Sequence, residues 1–171
     1  MSNLRVYLKR LDASLKPQTL SYAAHDLLGT ALYETFGLSK CEYVVQRTPM
    51  GKPIITAVSR GLTIPCFNIA HTPGLAAVAV GYAPIGIDAE GQRHISKQIR
   101  DRWLFGCAED EAVHEWTKRE SYGKLTGEGF VFSEPQVPHV FESFGIDGFT
   151  VTVCVHEHDR AVLPCEIIIK E

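Results

Sequence analysis

No apolar run in the 171-residue sequence approaches the roughly 20 residues that carry a helix across a bilayer. A basic excess is missing too. Lys and Arg number 17 against 20 Asp and Glu, for a formal net charge of −3, which argues against a dedicated nucleic-acid binder. Cysteine is sparse and unpatterned: five residues at 41, 66, 107, 154 and 165, with no CxxC. An odd count at irregular gaps argues against a disulfide scaffold or a Cys-rich zinc site. Reduced thiols in a cytoplasmic protein are the expectation, most of them serving as small core residues. Met1 to Ala13 lack the basic start, apolar stretch and small-residue cleavage site of a secretory signal. Low-complexity tracts and sequence repeats are absent as well.

What is present is ordinary globular material. Apolar residues make up 45% and charged residues 22%, enough for a buried core in one domain or two small halves. Leu4, Val6 and Leu8 alternate with polar residues, as in a strand. Pro17 to Gly37 reads as a helix, with Leu20, Ala23, Ala24, Leu27, Leu28, Ala31 and Leu32 on one stripe and Gly37 as its stop. Strands are expected at 42–47, 54–56, 66–70, 76–81 and 85–90, with a loop punctuated by Pro49, Gly51 and Pro53. Ile95, Ile99 and Trp103 recur every four residues, which predicts a helix with one buried stripe. A second helix is predicted over 109–124, closed by Gly127 and Gly129. Phe149, Val151, Val153 and Val155 alternate strictly with Thr150, Thr152, Cys154 and His156, and 165–170 supplies a last strand. Strands and helices mix without a regular βαβ alternation, so the fold class is α+β.

The segment IGIDAE (Ile85–Glu90) is the most informative. Strand side chains alternate between faces, so Ile85, Ile87 and Ala89 share one face and Gly86, Asp88 and Glu90 the other. Two carboxylates then stand about 7 Å apart, and Gly86 leaves room for a ligand to approach. All-oxygen donors favour a hard ion, Mg²⁺ or else Mn²⁺ or Ca²⁺. The alternative is a solvated face of an edge strand. Val113, Trp116, Glu120 and Lys124 lie at spacings of three and four on one side of their helix. Val113 and Trp116 mark a buried side, and Glu120 and Lys124 extend it toward the interior or a cleft. Charges there are costly unless paired or bound to an ion, although an exposed Glu–Lys pair would serve equally well.

Taken in order, GKP (Gly51–Pro53), FNIAH (Phe67–His71), GIDAE (Gly86–Glu90) and WTKRESYGK (Trp116–Lys124) resemble the motifs of the 4′-phosphopantetheinyl transferase superfamily. The mid-chain position of GIDAE resembles the longer, two-lobed surfactin-synthetase-activating type. The resemblance implies two similar pseudo-symmetric lobes, residues 1–83 and 84–171, each a small antiparallel sheet packed with a helix, with a coenzyme A cleft between them. It implies transfer of the phosphopantetheine arm of coenzyme A to a serine of an acyl or peptidyl carrier protein, with Mg²⁺ as cofactor. Asp88, Glu90 and Glu120 would hold the ion. Glu120 would also accept the serine proton, and Lys124 would contact the pyrophosphate. Gly51, Lys52 and Pro53 would border the adenine, largely through backbone, and His71 would bind the 3′-phosphate. Neither nucleic acid nor membrane is an expected partner, and a monomer is the expected state.

The resemblance also places Arg119 and His25 among the coenzyme A-binding residues, although the sequence departs from the family pattern at Arg119, where Lys is usual, at Ala70, where Ser is common, and at His25, which stands nearest a usual phosphate-binding Arg. These departures motivate one rival, a non-catalytic relative that binds coenzyme A or a carrier protein. A metal-dependent phosphohydrolase using the same acids is the other. Three further features are weaker. His156 and His158 form a possible zinc pair, and Lys97, Arg100 and Arg102 a possible basic face. The aromatics of 130–132 with Phe141 and Phe144 are expected in the core.

Overall fold

A computed structural model describes residues 4–130 and 135–171, with Arg60 in its backbone alone. The elements run β1 (Arg5–Arg10), α1 (Pro17–Phe36), β2 (Tyr43–Arg47), β3 (Pro53–Val58), β4 (Cys66–Thr72), β5 (Leu75–Gly81) and β6 (Ile85–Gly91). There follow α2 (Lys97–Trp103), α3 (Ala112–Thr126), β7 (His139–Ile146), β8 (Phe149–His156) and β9 (Glu166–Lys170). The mixture is α+β. One sheet has the order β4-β5-β1-β9 and another the order β6-β8-β7, while β2 and β3 form a separate hairpin. Every pairing is antiparallel except that of β9, which runs parallel to β1 from the far end of the chain.

The two larger sheets stack through one apolar layer. Leu4, Val6, Leu8, Ala77 and Ala79 from the first meet Ile85, Ile87, Ala89, Val151, Val153 and Val155 from the second. The outer face of the first sheet, with Tyr7, Val78 and Val80, is covered by α1 through Ala24, Leu27, Leu28, Ala31 and Leu32. The outer face of the second is covered by α3, where Tyr122 and Leu125 pack on Cys154. The central strands of the two larger sheets are thus packed on both faces. That is why β8 is buried at Thr152 and Cys154 as well as at its valines.

The expected α1 stripe is buried except at Ala23, and Gly37 ends the helix in the left-handed region at φ 70°. The stripe expected for α2 is broken in the middle, although Ile95 and Trp103 join one apolar cluster. Ile95 is buried but precedes the N-cap Ser96, Ile99 is exposed, and no residue of the helix is buried. With seven residues, α2 lies on the surface instead of filling a core. The α3 interface is broader than expected, because Thr117, Ser121 and Leu125 are buried along with Val113. Of the cysteines only Cys154 is buried. All five are free, and Cys41 is exposed. No helix among the described residues is long and apolar enough to cross a membrane.

Candidate active site

β6 is the foundation of the site. Its pairing to β8 fixes the alternation, so Ile85, Ile87 and Ala89 enter the layer between the sheets while Gly86, Asp88 and Glu90 face α3. The gap at Gly86 does not serve a ligand, as the sequence suggested; a helix fills it. A Cβ there would collide with the carbonyl oxygen of Ser121 and stand 2.6 Å from the Leu125 nitrogen. Close approach of α3 to the strand therefore requires glycine. A chain of hydroxyls fixes the helix further along, with Thr117 Oγ1 2.7 Å from Thr152 Oγ1, which lies 2.9 Å from Ser143 Oγ.

This contact buries Asp88 to 6% exposure. Its Oδ1 accepts a hydrogen bond from Lys124 Nζ at 2.8 Å, so the acidic strand and the charged end of α3 meet. Its Oδ2 is buried and has no hydrogen-bond partner among the described residues. Glu90 turns toward Arg93, with Oε2 3.4 Å from Nε, and the Arg93 guanidinium lies 4.9 Å from the Trp116 ring centroid. Burial raises the Glu120 carboxyl above its ordinary value. Asp88 adds to that shift, Lys124 opposes it, Glu90 adds again and Arg93 opposes. Glu90 is raised by burial, with Arg93 opposing and Asp88 adding. The three acids therefore share one electrostatic neighbourhood with two cations.

No group of three or more His, Cys, Asp and Glu residues among the described residues is gathered to hold a metal ion. The physical reason lies in the charges. Like-charged carboxylates separate unless a cation joins them, and here Lys124 and Arg93 take two of the three. The donor set nevertheless fits a hard divalent ion. It is oxygen throughout, and one buried Asp88 oxygen lacks a partner among the described residues.

Across the seam stands β4. The amide oxygen of Asn68 accepts from the Ile87 backbone nitrogen at 2.9 Å, both groups buried, and so ties β4 to β6. Asn68 escaped the sequence reading. Its signal was an amide side chain inside a strand flanked by Phe67 and Ile69, where polar residues are unfavourable without a partner. Arg93 was missed as well. His71, three residues on from Asn68, is exposed. Partial desolvation of its ring against the strand still lowers its pKa below the ordinary histidine value, and Lys124 and then His25 lower it further. Lys124 comes from α3 and His25 from α1, so side chains from both helices face the same stretch of β4. His25 itself is exposed, and its Nδ1 donates to Ser21 O at 2.8 Å, which leaves Nε2 outward.

The Gly51–Pro53 loop closes the third side. Gly51 has φ 88° and its nitrogen donates to Thr48 O at 2.8 Å. Beside the loop lies an apolar pocket of about 270 Å³ lined by Lys52, Ile55, Ile64, Cys66, Phe67 and Ile85. Lys52 points toward α3. Its Nζ donates to Leu125 O at 2.8 Å and reaches Ile85 O at 3.5 Å.

The remaining candidates lie apart or are occupied. Arg119 is 8% exposed, with its guanidinium 4.0 Å from the ring centroid of Phe105. Lys97 pairs with Asp101, Arg100 with Glu109 and the Ile95 carbonyl, and Arg102 lies over Trp103, so the α2 cations are engaged locally. The His156 and His158 rings stack with centroids 5.3 Å apart, and neither joins a metal-holding group among the described residues. Phe130 packs on Trp103 and Trp116, and Phe141 and Phe144 join cores, as expected. Val131 and Phe132 lie outside the described residues.

No family model matches the chain. The chain is 27% identical, over 185 aligned positions, to the 4′-phosphopantetheinyl transferase psf-1 of Bacillus pumilus, covering 84% of this chain and 78% of that protein. The similarity is distant and supports the superfamily that the four motifs resemble.

Proposed function

We propose that this chain is a 4′-phosphopantetheinyl transferase of the two-lobed surfactin-synthetase-activating type, acting in the cytoplasm on coenzyme A and an acyl or peptidyl carrier protein. One observation carries the reading. Asp88 of β6 and Lys124 of α3 meet at 2.8 Å in a half-buried seam, with Glu90 and Glu120 in the same field and His71 opposite. The lobes would be residues 1–83 and 84–171. The strand orders β4-β5-β1 and β7-β8-β6 support this, since each places a hairpin beside an earlier strand that leads into a helix.

In this reading Asp88, Glu90 and Glu120 would hold Mg²⁺, which would supply neutralisation of charge on the coenzyme A diphosphate. Residues 51–53 border the adenine beside the apolar pocket, and His71 with His25 meets the 3′-phosphate. Binding of the diphosphate draws Lys124 from Asp88 toward phosphate oxygens. A new bond forms between the carrier serine oxygen and the β-phosphorus. The bond from that phosphorus to the bridging oxygen breaks, and 3′,5′-adenosine bisphosphate leaves. The serine proton passes to Glu120, directly or through a water. Lys124 offsets the charge that grows on the departing oxygen. Arg119, turned under Phe105, holds the α2–α3 connection in place.

The test is transfer of a fluorescent pantetheine arm from labelled coenzyme A to a panel of apo carrier proteins, with and without Mg²⁺. Labelling at the carrier serine that requires Mg²⁺ is the expected result. Coenzyme A binding without transfer to any carrier would instead favour the non-catalytic relative, which the separated carboxylates suit. Release of phosphopantetheine without a carrier would favour the phosphohydrolase.

A further inference from the structure

Lys52 joins three parts of the site at one atom. Its Nζ donates to Leu125 O in the last turn of α3 and reaches Ile85 O at the start of β6. These are the two elements that bear Glu120 and Lys124, and Asp88 and Glu90. The Lys52 methylenes lie over Gly127, the left-handed C-cap of α3, where a Cβ would stand 3.7 Å from Cδ. The final carbonyls of a helix lack intrahelical partners and carry the negative end of its dipole, so an ammonium there is favourable. At its other end Lys52 belongs to a closed turn. Its own nitrogen donates to Thr48 Oγ1 at 3.1 Å, its carbonyl accepts from Thr48 N at 2.9 Å, and Arg47 Nη1 donates to Gly51 O at 2.8 Å.

We infer that Lys52 is a positioning residue whose side chain locks the Gly51–Pro53 loop to the C-terminal end of α3 and so fixes the distance between the nucleotide side of the site and its acidic side. The inference rests on the transferase reading for the identity of the ligand, but the lock itself does not. A loop held only by its own turn would let the nucleotide and the diphosphate be bound at varying separations. One ammonium gripping both remote elements removes that freedom before the ligand arrives, which preserves affinity.

The experiment compares the full chain with K52M, which keeps the contact over Gly127 and removes the donor, and with K52R and K52Q. Amide hydrogen exchange is read at Gly51 on the loop side and Gly127 on the helix side, whose nitrogens donate to Thr48 O and Gly123 O. Exchange at both should quicken about tenfold in K52M and K52Q, the loss expected for one charged hydrogen bond, and should return most of the way in K52R. Calorimetry should show coenzyme A binding weakened by a similar factor in K52M and K52Q and restored in K52R. Unchanged exchange on either side overturns the lock. Exchange that changes while coenzyme A affinity stays equal overturns the coupling. A wild-type chain that binds no coenzyme A refutes the transferase reading and the coupling with it, and leaves the exchange result to decide the lock.

Discussion

Replacing Gly86 by Ala probes the contact on which the whole site is assembled. The added methyl would enter space held by the Ser121 carbonyl and would stand 2.6 Å from the Leu125 nitrogen. Both are backbone atoms of α3, so no side-chain rotation relieves the clash. Overpacking of this kind costs typically about 1–3 kcal/mol, and rigid backbone on the far side puts the expected loss near the upper end. For a chain of this length about 3 kcal/mol corresponds to a fall in melting temperature of roughly 6–12 °C. Relief would come from α3 lifting off β6, which lengthens the Lys124–Asp88 pair and the Thr117–Thr152 contact together. Thermal unfolding followed by circular dichroism gives the shift. Gly145→Ala is the control, because its added carbon meets nothing nearer than Phe149 O at 3.9 Å, and a change under about 2 °C is expected there, as at other uncrowded sites. Equal melting temperatures for wild type and G86A would refute the packing of α3 on the acidic strand.

Asn68→Leu should lower stability by about 1–3 kcal/mol, because the buried Ile87 nitrogen loses its acceptor. Urea denaturation measures the loss, and faster exchange at the Ile87 amide locates it. His71 should titrate below an ordinary histidine, since burial, Lys124 and His25 all disfavour its charged form. The sign follows: the unfolded chain binds the proton more readily, so the contribution of neutral His71 is complete above pH about 6.5 and is lost as the pH falls. NMR titration of the imidazole gives the midpoint, and unfolding curves of H71Q should show a shallower loss of stability in acid.

Much of the local structure could be read from residues whose neighbours in sequence are also their neighbours in space. The α1 stripe ending at Gly37 and the alternation of β6 and β8 are of this kind. The acids of GIDAE were legible because strand alternation puts two like charges on one face, and the charged end of α3 because Glu120 and Lys124 continue an apolar stripe, which breaks a local rule. What stayed hidden depends on contacts distant in the chain. The parallel pairing of β9 with β1 joins Arg5 to Glu166, and no local pattern reports it. Gly86 could be marked as a close-approach position, but the approaching group, Ser121, lies 35 positions on, and a ligand was the wrong guess. Asn68 was passed over because its partner is a backbone nitrogen, which carries no sequence signature. α2 misled in part: of its four-residue spacing, Ile95 and Trp103 join the cluster of Leu104, Ala112 and Val113, but Ile99 between them is exposed.

The most direct test is a crystal structure of the chain with coenzyme A and Mn²⁺, the ion located by its anomalous scattering. The account predicts one peak touching an oxygen from each of Asp88, Glu90 and Glu120 and the coenzyme A diphosphate, with Lys124 moved off Asp88 onto phosphate. Bound coenzyme A whose diphosphate lies away from β6, or a peak ligated by other residues while Lys124 still holds Asp88, would contradict it.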